Sequence, residues 1–275
     1  MIDKLLCDEL SRVSTSGECA VLLSGGVDSL SVAFAAHRLG KKLHAYTFRL
    51  DGQTSYDSDK AMHAAEVMGW KCTVADIRTD RLEEDFIYLA QHIKCVKKTH
   101  FECCFPFLHL YPQIEEHEVL SGWAADGYYG ISKKAVLHYS QTKEKLDEFR
   151  DAYFSDGARA GYNWHNRIAE MHGKKFITPY LSQPVKDFFY SMDWLQLNKP
   201  YQKHHVVEAF KPEFDRIGKV KKHINLQLGG GVDILFESLL YNPRINFNDR
   251  RRVMDICRDW ANKRDAAPTL EHLLT

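Results

Sequence analysis

No stretch of this 275-residue sequence approaches the ~20 consecutive apolar residues that a helix needs to span a bilayer, which excludes a membrane-spanning helix. Excess charge of one sign is also missing. Thirty-seven Lys and Arg offset 37 Asp and Glu, so nonspecific binding to nucleic acid or to a membrane surface has no electrostatic basis. Composition is otherwise that of a globular protein, 44% hydrophobic and 27% charged, and the length suffices for a full core. No Cys-x-x-Cys pair occurs among the seven cysteines, and their odd number and irregular spacing fit a reducing compartment, not a disulfide framework. The start, Met1-Ile2-Asp3-Lys4, carries an early acid with no long apolar segment behind it, unlike a signal peptide. The cytoplasm is the expected compartment. No internal repeat or low-complexity linker is visible. Two common phosphate-binding signatures are absent as well. Gly40-Lys41-Lys42 lacks the Ser/Thr follow-on of a Walker loop, and no third glycine completes a dinucleotide fingerprint.

What is present is an alternation of strand and helix patterns over the first ~125 residues, the mark of a parallel α/β sheet. Strands are predicted at Cys19–Leu23, Leu43–Phe48, Trp70–Ala75 and Glu118–Leu120. Between them, helical patterns run over 30–39 and 60–68, stopped by Gly40 and Gly69. Asp80 and Glu83 form a capping-box pair ahead of Leu82, Phe86, Leu89, Ala90 and Ile93. A further amphipathic helix is predicted over 105–114, shortened by Pro106 and Pro112. Beyond Ile131 strand signals thin out, and Pro179, Pro184, Pro200 and Pro212 divide a mostly helical remainder. The expected architecture is an α/β layer at 1–130, a parallel twisted sheet with helices on both faces. A helical part at 131–275 completes the site, the two forming separate domains or one continuous domain.

Ser24-Gly25-Gly26-Val27-Asp28-Ser29 sits between the first strand and the first of these helices. Glycines there permit a tight turn, free N–H groups point outward, and the helix dipole favours an anion. Ser24 and Ser29 add hydroxyl donors. Asp28 beside phosphates makes sense with a cation such as Mg²⁺ between them. A second glycine loop, Ser121-Gly122-Trp123-Ala124-Ala125-Asp126-Gly127, follows the fourth strand. Both loops fall at the carboxyl ends of strands, where ligands bind in such sheets. Three lysines in four positions, Lys219, Lys221 and Lys222, precede Gly229-Gly230-Gly231, a pattern suited to a basic mobile lid or to a solvated turn.

The first loop resembles the pyrophosphate loop of the N-type ATP pyrophosphatases. The second is similar to the second signature loop of the asparagine synthetase synthetase domain, which usually reads Ser-Gly-Glu-Gly-Ala-Asp-Glu before a Phe-Gly-Gly-like end. Ser121, Gly122, Ala125, Asp126 and Gly130 match; Trp123 and Gly127 stand where the family has glutamates. Ile177-Thr178-Pro179-Tyr180-Leu181 resembles the family's Pro-Phe-Leu-Asp segment, with Ser182 in place of the acid. Lys199-Pro200-Tyr201-Gln202-Lys203 and Ala209-Phe210 resemble the helix before its last active-site loop.

The resemblance implies an ATP-dependent, AMP- and pyrophosphate-forming carbon–nitrogen ligase. ATP and pyrophosphate would lie on Ser24, Gly25, Gly26, Val27, Asp28 and Ser29, with adenine near Thr47, Phe48, Ser121 and Gly122. Mg²⁺ would be held by Asp28 and Asp126, and Lys222 or Lys221 would act on the developing charge beside Asp126. Trp123, Tyr128 and Lys203 are candidates for the substrate pocket. The partners implied are a small carboxylate or carbonyl substrate and ammonia or an amine. With ~20 residues before the first strand, a glutaminase would be a separate chain; a homodimer stays open. A base- or tRNA-modifying enzyme of the superfamily is less favoured, despite the runs 216–222 and Arg250-Arg251-Arg252. A nucleotide-binding regulator without chemistry is the non-enzymatic alternative. Cys95, His100, Cys103, Cys104 and His109 crowd within 15 positions, but their spacing suits a buried helix better than a zinc site.

Overall fold

β1 (Glu18–Leu22) is apolar on both faces because both faces are covered. It lies at the centre of a five-stranded parallel sheet in the order β3-β2-β1-β4-β5, with β2 at Lys42–Leu50, β3 at Lys71–Ile77, β4 at Glu118–Ser121 and β5 at Lys175–Ile177. The computed structural model describes residues 1–95, 98–130, 133–155, 161–218 and 230–239. Alternate strand residues feed two cores. Cys19, Val21, Leu43, Ala45, Leu120 and Ile177 face α1 (Ile2–Val13), α2 (Val27–Arg38), α3 (Tyr56–Met68) and the late helices. Ala20, Leu22, Tyr46, Phe48, Val119 and Phe176 face α4 (Leu82–Tyr88), α5 (Lys98–Leu110) and a later helix, Tyr162–Met171. The predicted α/β class with helices on both faces is therefore present, and no described helix is long and apolar enough to cross a membrane.

The helical part runs through α6 (Lys133–Tyr139), α7 (Lys143–Phe154), α8 (Tyr162–Met171), α9 (Gln183–Tyr190), α10 (Trp194–Asn198), α11 (His204–Ala209) and α12 (Lys211–Ile217), followed by a helix at Val232–Leu239.

Three local predictions need correction, at β5, Asp80 and α5, whereas the Cys/His group lies as expected. β5 lies in the stretch read as mostly helical. It is three residues long, too short to show a period, and exists because Glu118, Val119 and Leu120 pair with Lys175, Phe176 and Ile177. Asp80 does not cap α4; Arg78 holds its carboxylate at 2.6 Å, and Arg81 stands at the cap with no side-chain bond. α5 begins seven residues earlier than predicted and carries Pro106 inside it, since burial of Phe101, Phe105, Phe107 and Leu110 outweighs the lost N–H bond. The Cys/His group is spent on packing and local bonds. Cys95 and Cys104 are buried thiols, His109 meets Asp85 at 2.8 Å, and His100 stacks on Trp164 at 3.7 Å.

At the amino ends of the strands, Glu118 is buried at the start of β4. Its carboxylate accepts bonds from Ser14 Oγ (2.5 Å), Thr15 N (3.2 Å), Ser16 N (3.2 Å) and Lys175 Nζ (3.3 Å). Burial alone would raise its pKa, but these four donors bring it down to about 2.

Candidate functional site

β1 lies between β2 and β4, so the chain departs in opposite directions from the two sides of this one strand, and the crevice above that switch point is where such sheets bind ligands. Two turns open there. β1 ends with Leu23 N donating to Tyr46 O (2.9 Å), and Ser24-Gly25-Gly26 then turns into α2. Gly25 has φ +68° and approaches Lys60 so closely that a Cβ would lie 2.4 Å from Lys60 Cβ. Inside the turn Ser29 Oγ donates to Gly26 O (3.1 Å), lies 3.2 Å from Ser24 Oγ and accepts from Ser24 N. No side chain caps α2, whose first N–H groups at Val27, Asp28 and Ser29 have no partners in their own helix. β1 pairs with β2 only as far as Tyr46, so Thr47 and Phe48 continue past this turn; the Phe48 ring itself packs on Phe107.

The β4 loop meets the first turn directly. Ser121 Oγ accepts from Trp123 N at 3.1 Å, and a Cβ on Gly122 would lie 2.4 Å from Asp28 C and 2.5 Å from Asp28 O. Only glycine lets the two backbones touch there. Ala124 takes a left-handed φ of +76°, which brings Asp126 round toward Asp28.

The third part comes from far along the chain. Lys203, itself left-handed at φ +63° just before α11, is buried. Its ammonium donates to Asp28 Oδ2 at 2.5 Å and to Asp126 Oδ1 at 2.6 Å, and lies 5.4 Å from the centroid of the Tyr129 ring. Burial would lower the lysine pKa, but the two carboxylates override it and hold the charge on. Asp28 moves the other way. Burial, aided by the neighbouring Asp126, pushes its pKa up to about 7 despite Lys203. Asp28 Oδ1 is buried with no partner. Two carboxylates converging on one cation, one with an unused oxygen beside helix N–H groups that lack partners in their own helix, form an all-oxygen donor set that fits Mg²⁺ with a polyphosphate.

The structure thus brings together Ser24, Gly25, Gly26, Val27, Asp28, Ser29, Ser121, Gly122, Asp126 and Lys203. Trp123 is half-buried beside them, its ring 4.2 Å from that of His165. Tyr128, a candidate for the pocket, is fully buried instead: its hydroxyl donates to Tyr180 O (2.5 Å) and its ring stacks on Phe189 at 4.4 Å. Lys221 and Lys222 lie outside the described residues. Sequence reasoning missed Tyr129 and Tyr180. Tyr180 shares Ser31 Oγ (2.8 Å), which also bonds Asp28 O (2.8 Å), and so ties the Pro179 segment to the first turn. The only signal was its place in a segment already singled out.

The fold and site define a doubly wound α/β protein with a charged crevice at its switch point. Residues 2–167, more than half of the chain, match the family described as Asparagine synthase, and the chain belongs to that family of ATP-dependent amide-forming synthetases. No curated protein matches it.

Proposed function

We propose that this protein is an AMP- and pyrophosphate-forming carbon–nitrogen ligase. The observation that carries this reading is the single ammonium of Lys203 held between Asp28 of the glycine turn and Asp126 of the β4 loop. Such a site suits a reaction in which a polyphosphate leaves and negative charge must be neutralised in a dry crevice. The triphosphate of ATP lies on the Ser24–Ser29 turn, oriented by the α2 N–H groups and the two serine hydroxyls. An oxygen of the acceptor carboxylate attacks the α-phosphorus, the bond to the β-phosphate oxygen breaks, and pyrophosphate leaves with the electron pair. A nitrogen nucleophile then attacks the acyl carbon, loses a proton, and AMP departs. Asp28 and Asp126 would hold Mg²⁺, which supplies charge neutralisation to the phosphates.

Lys203 carries the cationic role nearest the reacting groups; Lys221 and Lys222 remain candidates for a closing lid. Asp126 positions Lys203, and Gly122 holds the two loops in contact. Residues 1–130 form the nucleotide-binding core in this reading, and 131–275 completes the site by delivering Lys203. Nitrogen arrives as ammonia or an amine, free or released by a glutaminase, in the cytoplasm. The test is ATP labelled at the α-phosphate, supplied with carboxylic acids and ammonium. Labelled AMP with pyrophosphate is the expected product; labelled ADP with free phosphate overturns the proposal.

A further inference from the structure

Lys203 occupies the seat that the site offers to a divalent ion. Its ammonium lies 2.5 Å from Asp28 Oδ2 and 2.6 Å from Asp126 Oδ1, oxygens of the two carboxylates that would hold Mg²⁺. Magnesium needs several oxygens at about 2.0–2.1 Å in a near-octahedral set. An ammonium and a doubly charged ion drawn to the same two oxygens repel each other, strongly so because Lys203 is buried. Asp28 Oδ1 is buried without a partner, but one carboxylate oxygen does not make a magnesium site.

The lysine can leave this seat only for another anion, since an unpaired ammonium in a buried place is costly. Among the described residues its ammonium meets these two acids and, at 5.4 Å, the centre of the Tyr129 ring, and no third acid. Its backbone is fixed. Lys203 O accepts from Val206 N (3.0 Å) and Val207 N (3.1 Å) at the start of α11, and α11 packs on α1 and α2. The flexible four-carbon stem is therefore the part free to swing. Asp28 is the second residue of α2, whose first N–H groups have no partners in their own helix. A phosphate received on those groups would lie beside Asp28 and give the ammonium its replacement partner.

We infer that Lys203 and Mg²⁺ take the Asp28–Asp126 seat in turn. The lysine fills it in the nucleotide-free protein and cedes it when a polyphosphate supplies negative oxygens. The protein then refuses free Mg²⁺ and takes the metal only with, or after, the nucleotide. This deepens the ligase reading and rests on it for the nucleotide; the refusal of free metal stands on one lysine and two acids.

The experiment titrates the full chain with Mn²⁺, whose free and bound forms differ in their EPR signal, in place of Mg²⁺ and without nucleotide. Lys203→Met should bind Mn²⁺ at least about tenfold more tightly than wild type. The double variant Lys203→Met/Asp126→Asn should lose that gain. Mg²⁺ alone should raise the melting temperature of Lys203→Met and not that of wild type; with α,β-methylene ATP present, it should raise that of wild type as well. Folded Lys203→Met that binds Mn²⁺ no more tightly than wild type overturns the exchange. So does nucleotide-free wild type whose melting is raised by Mg²⁺ through a site that Asp126→Asn removes, a measurement that needs no lysine variant. A gain of Mn²⁺ by Lys203→Met while wild type binds no ATP analogue upholds the exchange and removes the ligase reading.

Discussion

Glu118 and Asp28 are two carboxylates at opposite ends of the same sheet, the first buried and the second half-buried, and their pKa values move in opposite directions. Glu118 opens β4 and collects four donors, which bring it down to about 2. Asp28 follows β1 at the other end, shares one ammonium with a second acid, keeps one oxygen unpartnered, and rises to about 7. The first arrangement is what a stabilising buried charge requires; the second leaves a deficit that a bound cation and nucleotide would fill. Strain follows the same division: Ala124 and Lys203, two of the three described non-glycine residues with left-handed φ, flank the Asp28 end.

The comparison can be broken most severely at Lys203. Lys203→Met leaves two carboxylates facing each other without a counter-ion, and stability should fall by about 3–5 kcal/mol. Pyrophosphate release should fall by about 10³-fold or more in the folded fraction. Turnover near the wild-type rate would mean that this end of the sheet is not a reaction site. Next is the opposite end. Glu118→Gln should cost about 3 kcal/mol at neutral pH, the worth of lowering a carboxyl from 4.5 to about 2. Because the folded pKa is depressed, this stability is present above the unfolded pKa and lost as pH falls from about 4.5 toward 2. Urea melts of wild type and variant should therefore converge in acid, with catalysis at neutral pH little changed.

Gly122→Ala sharpens the contrast at smaller amplitude. The new methyl would meet the Asp28 carbonyl, a backbone group that cannot rotate away, and overpacking of this kind costs about 1–3 kcal/mol. Its effect on nucleotide affinity should exceed its effect on melting, because the displaced residue is Asp28 itself. The most delicate test is pH. The raised pKa of Asp28 means that the folded state favours the protonated acid, so its contribution to stability is full below the usual carboxylate range and declines as pH rises toward about 7. Without nucleotide or Mg²⁺, Asp28→Asn should flatten that decline while leaving the acid limb due to Glu118 intact. An unchanged slope between pH 4 and 7 would remove the contrast.

Local pattern reached four of the five strands and the helices ending at Gly40 and Gly69, because each carries its own periodicity and stop signal. It failed at Lys175–Ile177, where three residues are too few for a period, and at Asp80, whose carboxylate finds Arg78 closer than the helix end. Pro106 misled because a breaker's local penalty is smaller than the burial of the helix around it. Tyr128 looked like a pocket residue from its place in the loop, and only packing shows it turned inward onto Phe189.

From its own residues the chain determined that a glycine turn would present N–H groups at the mouth of a parallel sheet, since strand, turn and helix start are contiguous. What only the tertiary structure decided is which cation meets Asp28. Lys203 lies 175 positions away from it and 77 from Asp126. The choice among 37 Lys and Arg is made by which one the late helices bury against those two acids, where desolvation makes the pairing obligatory.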